Sequence, residues 1–336
     1  MNTLSLINTI LQKQDITSNE AEFLLSEMMR GTMSDVRISA LLTALAMKGE
    51  TADEIIGFIH TMRKHMVKLT IADAIDVCGT GGDGKQTFNI STAVAFVVAG
   101  AGIPVAKHGN RAASSICGSA DVLEKLGVHI TLEAAQAQAV LEKVGMVFLF
   151  APLFHPSMKT VSLVRKELGI RTIFNFLGPF CNPAGVTRQL IGVPSIAVAE
   201  KLIQVGKKLG YAHLILATSE DGLDEISITK KTHLYELQGN TISRLTLDPK
   251  EYGFIYATED ITGGTAEMNA EIITNVLQGE PGQQRDIVLL NSAVALYISG
   301  KAASIAAGLS LAETSLHSGR AKEVLEQLIQ ETQKYA

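Results

Sequence analysis

A stretch with four glycines in six residues restricts what this chain can fold into more than any other feature. Residues 79–84 read Gly-Thr-Gly-Gly-Asp-Gly and follow a short apolar run. Glycine has no Cβ, so this loop can take positive φ values and bring its backbone N–H groups close to an anion. Residues 89–92, Asn-Ile-Ser-Thr, then offer the start of a helix, whose unpaired N–H groups and dipole also favour negative charge. The pattern predicts a strand, a phosphate-binding loop and a helix.

Two common nucleotide-binding motifs match the letters of this loop but not their context. The dinucleotide fingerprint Gly-x-Gly-x-x-Gly needs an acidic residue about 20 positions later, and residues 101–107 contain no Asp or Glu. The triphosphate P-loop needs Ser or Thr after its lysine to bind Mg²⁺, whereas Gln86 follows Lys85 here. A glycine-rich surface turn without a ligand remains an alternative. The polar and ionisable residues that follow favour a site for a phosphorylated ligand.

The composition predicts a protein of two domains that does not bind nucleic acid. The chain has 336 residues, of which 46% are hydrophobic and 19% charged, enough for a substantial core. Its net charge of −5, its 5% aromatic content and its lack of Trp do not match the basic or aromatic surfaces that bind nucleic acids. We therefore expect no nucleic-acid partner.

Cysteine usage and hydropathy predict a cytoplasmic protein without a membrane segment. Cys78, Cys117 and Cys181 are odd in number and far apart, which fits neither a disulfide framework nor a zinc site. Polar residues at 12–15 interrupt any apolar leader. The best candidate for a membrane span, 93–106, is broken by two glycines and a proline.

Two different patterns of apolar residues divide the chain. Residues 1–67 predict four short helices, two of which begin at the capping boxes Thr17-x-x-Glu20 and Thr51-x-x-Glu54. From residue 72, short apolar runs alternate with helical stretches, which is typical of a mostly parallel sheet covered by helices. The predicted strands are 73–78, 103–106, 146–150, 188–193 and 213–217, and the predicted helices lie near 91–101, 119–126, 132–143, 157–168 and 195–209.

The C-terminal third predicts a hairpin followed by helices. Residues 226–248 alternate between apolar and polar, beginning with Ile226-Ser227-Ile228, and Gly239-Asn240 supplies a turn. The last 70 residues predict helices.

Polar residues cluster where predicted strands lead into helices, which is where α/β folds bind ligands. Residues 107–111, Lys-His-Gly-Asn-Arg, and the serine-glycine turn at 114–119, in which Ser119 is a candidate helix cap, predict a second anion site. Residues 219–225 carry four carboxylates around one glycine, and Mg²⁺ prefers a few carboxylates together with waters and phosphate oxygens. Solvated surface loops remain the alternative for each segment taken alone.

A helix opening at His155-Pro156 is predicted to carry Arg165 and Arg171 on its later face. An arginine fixed among apolar residues can hold a carboxylate through two parallel hydrogen bonds. Simple exposure on the helix surface is the alternative for Arg165, since most arginines are exposed.

Taken together and in this order, these motifs resemble the anthranilate phosphoribosyltransferase family over nearly the whole chain. The resemblance implies an α/β protein with a small all-helical domain and a large α/β domain, whose mostly parallel central sheet is flanked by helices. It implies a small domain of residues 1–70, completed by about 164–188, and a large phosphoribosyl-pyrophosphate-binding domain of residues 71–163 and 189–336. The motifs that carry it are the glycine loop, 89–92, 107–111, Gly118-Ser119-Ala120-Asp121, His155-Pro156, 164–169 and Asp221-Gly222-Leu223-Asp224-Glu225.

The resemblance also implies a reaction and the residues that carry it. The amine of anthranilate would displace pyrophosphate from C1 of 5-phosphoribosyl-1-pyrophosphate (PRPP), in tryptophan biosynthesis. Catalysis would rest on positioning by Arg165, Asp83 and Lys107, with no assigned acid or base. Anthranilate would bind Asn110 and Arg165, with His108 and His155 lining its approach. PRPP would bind Gly79, Gly82, Asp83, Thr87, Asn89, Ser91, Thr92, Lys107 and Ser119.

A cofactor and a partner follow from the same resemblance. Mg²⁺, with two ions per subunit, would be held by Ser91, Asp224 and Glu225, and a homodimer would form through the small helical domain. The chain departs from the family pattern at Ala217-Thr218-Ser219, where Val-His-Gly is frequent, and at Cys117, where serine is frequent. Two rivals remain, namely a pyrimidine nucleoside phosphorylase-like enzyme of the same fold group and a non-enzymatic paralogue that binds nucleic acid.

Overall fold

The N-terminal part of the chain forms the four predicted helices. The protein is described by a computed structural model that covers residues 1–69, 71, 73–112, 116–255 and 261–336. Both predicted capping boxes are present, at Thr17 with Glu20 and at Thr51 with Glu54, and they satisfy first-turn N–H groups. The helices are α1 (Thr3–Leu11), α2 (Ser18–Met29), α3 (Asp35–Lys48) and α4 (Ala52–His65).

A seven-stranded sheet lies at the centre of the rest of the chain. The first five strands are parallel, and the last two form an antiparallel hairpin beside them. The strand order is β3-β2-β1-β4-β5-β6-β7, so the predicted mostly parallel sheet is confirmed. The strands are β1 (Ile75–Gly79), β2 (Val105–Gly109), β3 (Met146–Phe150), β4 (Arg188–Gly192), β5 (His213–Ser219), β6 (Thr232–Gln238) and β7 (Thr241–Leu247).

Eleven helices follow α4 within the described residues, and together they cover both faces of the sheet. No helix in this part of the chain is long and apolar enough to cross a membrane. They are α5 (Ile90–Gly100), α6 (Ser119–Lys125), α7 (Ala134–Val144), α8 (Ala151–Phe154), α9 (Lys159–Leu168), α10 (Phe174–Phe180), α11 (Ile196–Lys208), α12 (Ala266–Leu277), α13 (Gln283–Ile298), α14 (Ile305–His317) and α15 (Arg320–Thr332).

Arg171, Ser119 and residues 226–228 do not lie where the sequence predicts. Arg171 lies beyond α9, because Gly169 takes a left-handed φ of 62° and ends that helix at Leu168. Ser119 is not the cap of α6 but its first residue, and the carboxylate of Asp121 accepts the N–H of the Gly118 cap instead. Residues 226–228 are not in a strand, and the N–H groups of Ile226 and Ser227 donate to side chains instead of to a neighbouring strand.

Side chains on the two faces of the sheet belong to two separate hydrophobic cores. On β5, Ile215 points into a core with α5, α7 and the C-terminal helices, whereas Leu214 and Leu216 point into the opposite core. This second core contains α11 and the N-terminal helices. It also takes buried residues from 161–181, and Phe174 packs edge-on against Phe58 of α4 with 5.9 Å between ring centroids. The segment that follows β3 therefore packs against the N-terminal helices, although it is far from them in sequence.

The strand order changes direction at β1, which has β2 on one side and β4 on the other. In open α/β sheets a crevice forms at such a switch point, outside the carboxyl ends of the strands. The glycine-rich segment leaves β1 at this end of the sheet, and the acidic segment leaves β5 at the same end. The fold therefore brings the two predicted ligand loops together.

Candidate active site

The glycine-rich segment 79–87, here called the phosphate loop, connects β1 to α5. Gly81 and Gly82 have φ values of 69° and 85°, which side chains with a Cβ rarely adopt. The far end of the loop is held by residues 261–263, because the N–H of Gly263 donates to the carbonyl of Gln86 at 2.9 Å. Thr87 forms a bridge with Thr262 at the same place. The loop is thus fixed at both ends, with glycines between them.

The acidic segment lies directly over the carboxyl ends of β1 and β4. Gly79 pairs with Gly192 at this edge. A Cβ on Gly79 would lie 2.6 Å from Oδ2 of Asp224, and a Cβ on Gly192 would overlap the backbone oxygen of Asp224. Oδ2 of Asp224 also accepts the N–H of Gly81 at 2.8 Å. The glycine pair therefore makes room for Asp224 beside the phosphate loop.

Two of the four carboxylates in the acidic segment face this site. Asp221 is engaged locally, because its Oδ2 accepts hydrogen bonds from the hydroxyls of Ser227 at 2.6 Å and Thr229 at 2.9 Å. Burial, reinforced by the charge of Asp83, raises the pKa of Asp224 to about 7. Burial, reinforced by the charge of Asp224, raises the pKa of Glu225 to about 8. Neighbouring buried acids of this kind are stabilised by a bound cation.

The donor chemistry at this position fits Mg²⁺. The predicted ligands Ser91, Asp224 and Glu225 offer only oxygen atoms, which hard divalent cations prefer. Within the described residues, no three His, Cys, Asp or Glu side chains form a preformed metal cage. Mg²⁺ commonly binds through one or two carboxylates and completes its shell with waters and substrate phosphates, so a two-carboxylate site suffices.

Lys107 points from β2 towards the start of α5. Its side chain is buried, and Nζ donates to the carbonyl of Val77 at 2.7 Å and to Oγ of Ser91 at 3.1 Å. Burial lowers the pKa of Lys107, while nearby Asp76 opposes that shift. The lysine places a buried cation behind the phosphate loop. The prediction that it follows the second strand is wrong, since β2 extends through Gly109.

The other residues predicted to bind PRPP surround the start of α5 and α6. Asn89 caps α5, and its side chain donates to the carbonyl of Cys117 at 3.1 Å. Thr92 is fully buried, and its Oγ1 has no hydrogen-bond partner among the described residues. Ser119 donates to the carbonyl of Asn110 at 3.3 Å. Ser114 and Ser115, part of the predicted serine-glycine turn, lie outside the described residues.

A cavity of about 650 Å³ opens beside the phosphate loop. It brings together all four residues predicted to meet anthranilate, namely His108, Asn110, His155 and Arg165. The remaining walls are largely apolar and come mainly from 151–162 and 174–181. The lining also includes Gly79 and Thr80, so the cavity reaches the phosphate loop. Its largely apolar lining and the guanidinium of Arg165 suit a small apolar ligand that carries an anionic group.

The two histidines in the cavity are neutral at physiological pH. Burial, with the nearby charge of His155, lowers the pKa of His108 to about 3. Burial lowers the pKa of His155 to about 4. The rings lie 5.1 Å apart between centroids, and Gly178 is next to His108, with 3.3 Å between its carbonyl and Nδ1. Neither ring is suited to donate a proton as an imidazolium near pH 7.

Three contributors to the site were missed from the sequence. Gly192 makes room for Asp224, Phe174 packs against the guanidinium of Arg165, and Arg171 contacts the phosphate loop. The isolated glycine at the end of a predicted strand was a usable signal for Gly192, since such a residue often marks a close backbone approach. No local pattern identifies the partners of Phe174 or Arg171.

The fold and site define a two-domain glycosyl transferase. The family model described as "Glycosyl transferase family, a/b domain" matches residues 71–322, and the one described as "Glycosyl transferase family, helical bundle domain" matches residues 4–66. The "Anthranilate phosphoribosyltransferase" of Pelotomaculum thermopropionicum is 48% identical over 329 residues, which cover 97% of this chain and 95% of the relative. The chain belongs to the anthranilate phosphoribosyltransferases of this glycosyl transferase family, as the motifs predicted.

Solved structures agree over the whole fold. The anthranilate phosphoribosyltransferase from Thermus thermophilus superposes with a TM-score of 0.91 at 36% identity, covering 99% of this chain and 100% of that one. The enzyme from Saccharomyces cerevisiae, in complex with PRPP and Mg, gives a TM-score of 0.91 at 28% identity, covering 99% and 98%. The predicted fold class is therefore confirmed, and so is the glycosyltransferase class of enzyme.

Proposed function

We propose that this chain transfers the 5-phosphoribosyl group of PRPP to the amine of anthranilate and releases pyrophosphate. One observation carries the proposal beyond the similarity to relatives. A single cavity is lined both by Gly79 and Thr80 of the phosphate loop and by the half-buried Arg165. A phosphorylated sugar on the loop and an aromatic acid paired with Arg165 would therefore meet in one cavity.

The PRPP side of the site uses backbone and side-chain donors. Asn89, Ser91 and Thr92 lie at the start of α5, where free N–H groups and the helix dipole favour phosphate. Lys107 adds a buried positive charge from β2. We assign the remaining contacts to residues that surround these groups, namely Gly79, Gly82, Asp83, Thr87 and Ser119.

The anthranilate side uses one charge and a neutral, mostly apolar wall. Arg165 would pair with the carboxylate through its guanidinium fork. Asn110 and the neutral rings of His108 and His155 would line the approach of the amine. Because the rings stay neutral, they add no positive charge that would compete with Arg165 for the carboxylate.

The chemistry needs charge stabilisation more than proton transfer. As the bond from C1 to pyrophosphate breaks, positive charge grows on the ribose and negative charge grows on the leaving group. Lys107 and the N–H groups of the phosphate loop would stabilise the departing pyrophosphate. An aromatic amine is already a competent nucleophile, so holding it against C1 is the main remaining task. A strong general base is therefore not required.

We assign Mg²⁺ to Ser91, Asp224 and Glu225, with two ions per subunit and Asp83 beside the first. When bound, the metal neutralises negative charge on the pyrophosphate. The raised pKa values of Asp224 and Glu225 support this assignment, because they mark carboxylates that are costly to ionise without a nearby cation.

The small helical domain, residues 1–70 with about 164–188, is proposed as the dimer surface and as a mobile half of the site. Leu4, Leu11, Val36 and Met47 are exposed apolar residues on or beside α1 and α3, which supports an interface there. Closure of this domain would bring Arg165 towards the PRPP site. We further propose that the enzyme works in the cytoplasm in tryptophan biosynthesis.

The test follows the loss of anthranilate fluorescence on mixing with PRPP and Mg²⁺. We expect decay that EDTA abolishes and that is lost in the Asp224→Ala/Glu225→Ala variant. Circular dichroism must show that this variant remains folded. If the folded wild-type protein causes no loss of anthranilate fluorescence, the proposal is wrong. Phosphorolysis of pyrimidine nucleosides would then be the next activity to assay.

A further inference from the structure

The guanidinium of Arg171 connects the two halves of the site. The residue lies between α9 and α10, so it belongs to the same segment as Arg165. Its Nη1 donates a 2.7 Å hydrogen bond to the carbonyl of Gly81 in the phosphate loop. A charged donor makes a stronger hydrogen bond than a neutral one. The contact therefore reaches from the anthranilate-side segment to the middle of the phosphate loop.

The shape of the loop is adapted to this guanidinium. A Cβ on Gly82 would overlap Nη1 of Arg171 and would lie 2.8 Å from its Cζ. The guanidinium thus occupies the space that a side chain at residue 82 would need. Gly82 also has a φ of 85°, so the position requires glycine both for its backbone conformation and for the approach of Arg171.

Gly81 is held from both sides. Its N–H donates to Oδ2 of Asp224 at 2.8 Å, and its carbonyl accepts from Arg171 at 2.7 Å. One of these partners comes from the acidic segment after β5, and the other comes from the segment before α10. Removing either partner leaves the peptide fixed by only one of the two.

The backbone of Arg171 is itself anchored. Gly169 ends α9, and the N–H of the buried Thr172 donates to Oδ1 of Asn175 at 2.9 Å. Asn175 also lines the cavity. The backbone of Arg171 is therefore held next to the cavity wall. A movement of that wall would also move Arg171 and the loop that it contacts.

We propose that Arg171 is a positioning residue that holds the phosphate loop in its PRPP-binding conformation from the segment that carries Arg165. What the loop binds rests on the function proposed above. Arg171 acts through the backbone of Gly81, so its loss should weaken PRPP binding far more than it slows the chemical step.

The test compares Arg171→Gln, Arg171→Lys and Lys166→Gln. Lys166 is an exposed cation on α9, so its variant removes the same charge without touching the loop. Hydrogen exchange of residues 79–87 in the ligand-free protein should be about tenfold faster in Arg171→Gln, the size expected for one charge-assisted hydrogen bond. Exchange should be unchanged in Lys166→Gln and intermediate in Arg171→Lys, since lysine keeps one donor.

Steady-state kinetics supply the second readout. Arg171→Gln should raise KM for PRPP about tenfold, with kcat and KM for anthranilate within about threefold of the wild type. Unchanged exchange together with an unchanged KM for PRPP would overturn the proposal. So would an effect confined to KM for anthranilate. A wild type without any turnover would instead contradict the proposed function, and the exchange experiment would still test the role of Arg171 in the loop.

Discussion

The guanidinium carbon of Arg165 lies 4.8 Å from the ring centroid of Phe174. Phe174 is buried and is held in turn by Phe58. A cation placed over an aromatic ring is held by the ring without using its N–H groups in conventional hydrogen bonds, so these stay available for a planar acceptor. No described residue accepts a hydrogen bond from the Arg165 side chain or forms an ion pair with it. The arginine is therefore pre-organised for a carboxylate that none of the described residues supplies.

Replacing Arg165 should separate the two substrates kinetically. Arg165→Ala removes a bidentate charged pair, so KM for anthranilate should rise about 100-fold, while KM for PRPP should change less than about threefold. Arg165→Lys should recover only part of the loss, because an ammonium cannot reproduce the fork. Initial rates with each substrate varied in turn give both constants. Equal increases in the two KM values would count against this assignment.

Neutralising Asp224 and Glu225 should abolish activity and stabilise the ligand-free protein. Burial disfavours the ionised forms of Asp224 and Glu225, so Asp224→Asn/Glu225→Gln should abolish Mg²⁺-dependent turnover yet raise the Tm of the ligand-free protein by about 3 °C. The matched control is Asp221→Asn, because Asp221 accepts hydrogen bonds from Ser227 and Thr229. That control should lower Tm. A double variant that is less stable than the wild type, or still active, would contradict the expectation.

The parts of the fold that could be predicted are those specified by neighbouring residues. The capping boxes at Thr17 and Thr51 and the alternation of apolar runs with helical stretches all lie within short windows of sequence. The glycine-rich loop is also local, because its glycines are needed for its own φ values. These features predict the phosphate loop and the N-terminal helices without any tertiary contact.

The parts that could not be predicted depend on contacts between distant segments. Asp224 reaches Gly81 across 143 residues, and Arg171 reaches it across 90. The helical pattern predicts Arg171 on a helix face, but Gly169 ends that helix at Leu168. The space that Gly192 leaves for Asp224 exists only once β1, β4 and the acidic segment are assembled. Family resemblance supplied roles for Asp224 and Arg165, but no role for Arg171.

The buried His155 should make the folded protein less stable at acid pH. Its pKa is about 4 in the folded protein because of burial, against about 6.5 when unfolded. The folded state therefore favours the neutral ring. Its full contribution is present above pH 6.5 and is lost as the pH falls towards 4. Up to about 3 kcal/mol should disappear over this range.

Urea unfolding of the wild type, His155→Asn and His317→Asn at pH 7.5 and pH 4.5 tests this. His317 is exposed at the end of α14, so its variant should lose as much stability as the wild type on acidification. His155→Asn should lose about 2.5 kcal/mol less over this interval. An identical loss in all three proteins would show that His155 does not contribute to the acid dependence.

Two glycines at the carboxyl ends of β1 and β4 should differ in how well they tolerate alanine. In Gly192→Ala, the new methyl group would overlap the backbone oxygen of Asp224, which cannot move without shifting the acidic segment. In Gly79→Ala, the methyl group would lie 2.6 Å from Oδ2 of Asp224. A side-chain rotation can move this atom away, although it weakens the hydrogen bond from the N–H of Gly81. Overpacking against backbone should cost about 3 kcal/mol and overpacking against a movable side chain about 1 kcal/mol.

Urea unfolding of both variants measures this difference in stability. The affinity for PRPP, measured with and without Mg²⁺, shows whether the acidic segment has been displaced. Because Gly192 does not touch either ligand in our assignment, loss of PRPP affinity in Gly192→Ala would have to arise through displacement of Asp224 and Glu225. The expected result is weaker PRPP binding in Mg²⁺ and no change without the metal. Equal stability of the two variants would mean that the acidic segment moves freely over the sheet, and that the glycine pair does not position the metal ligands.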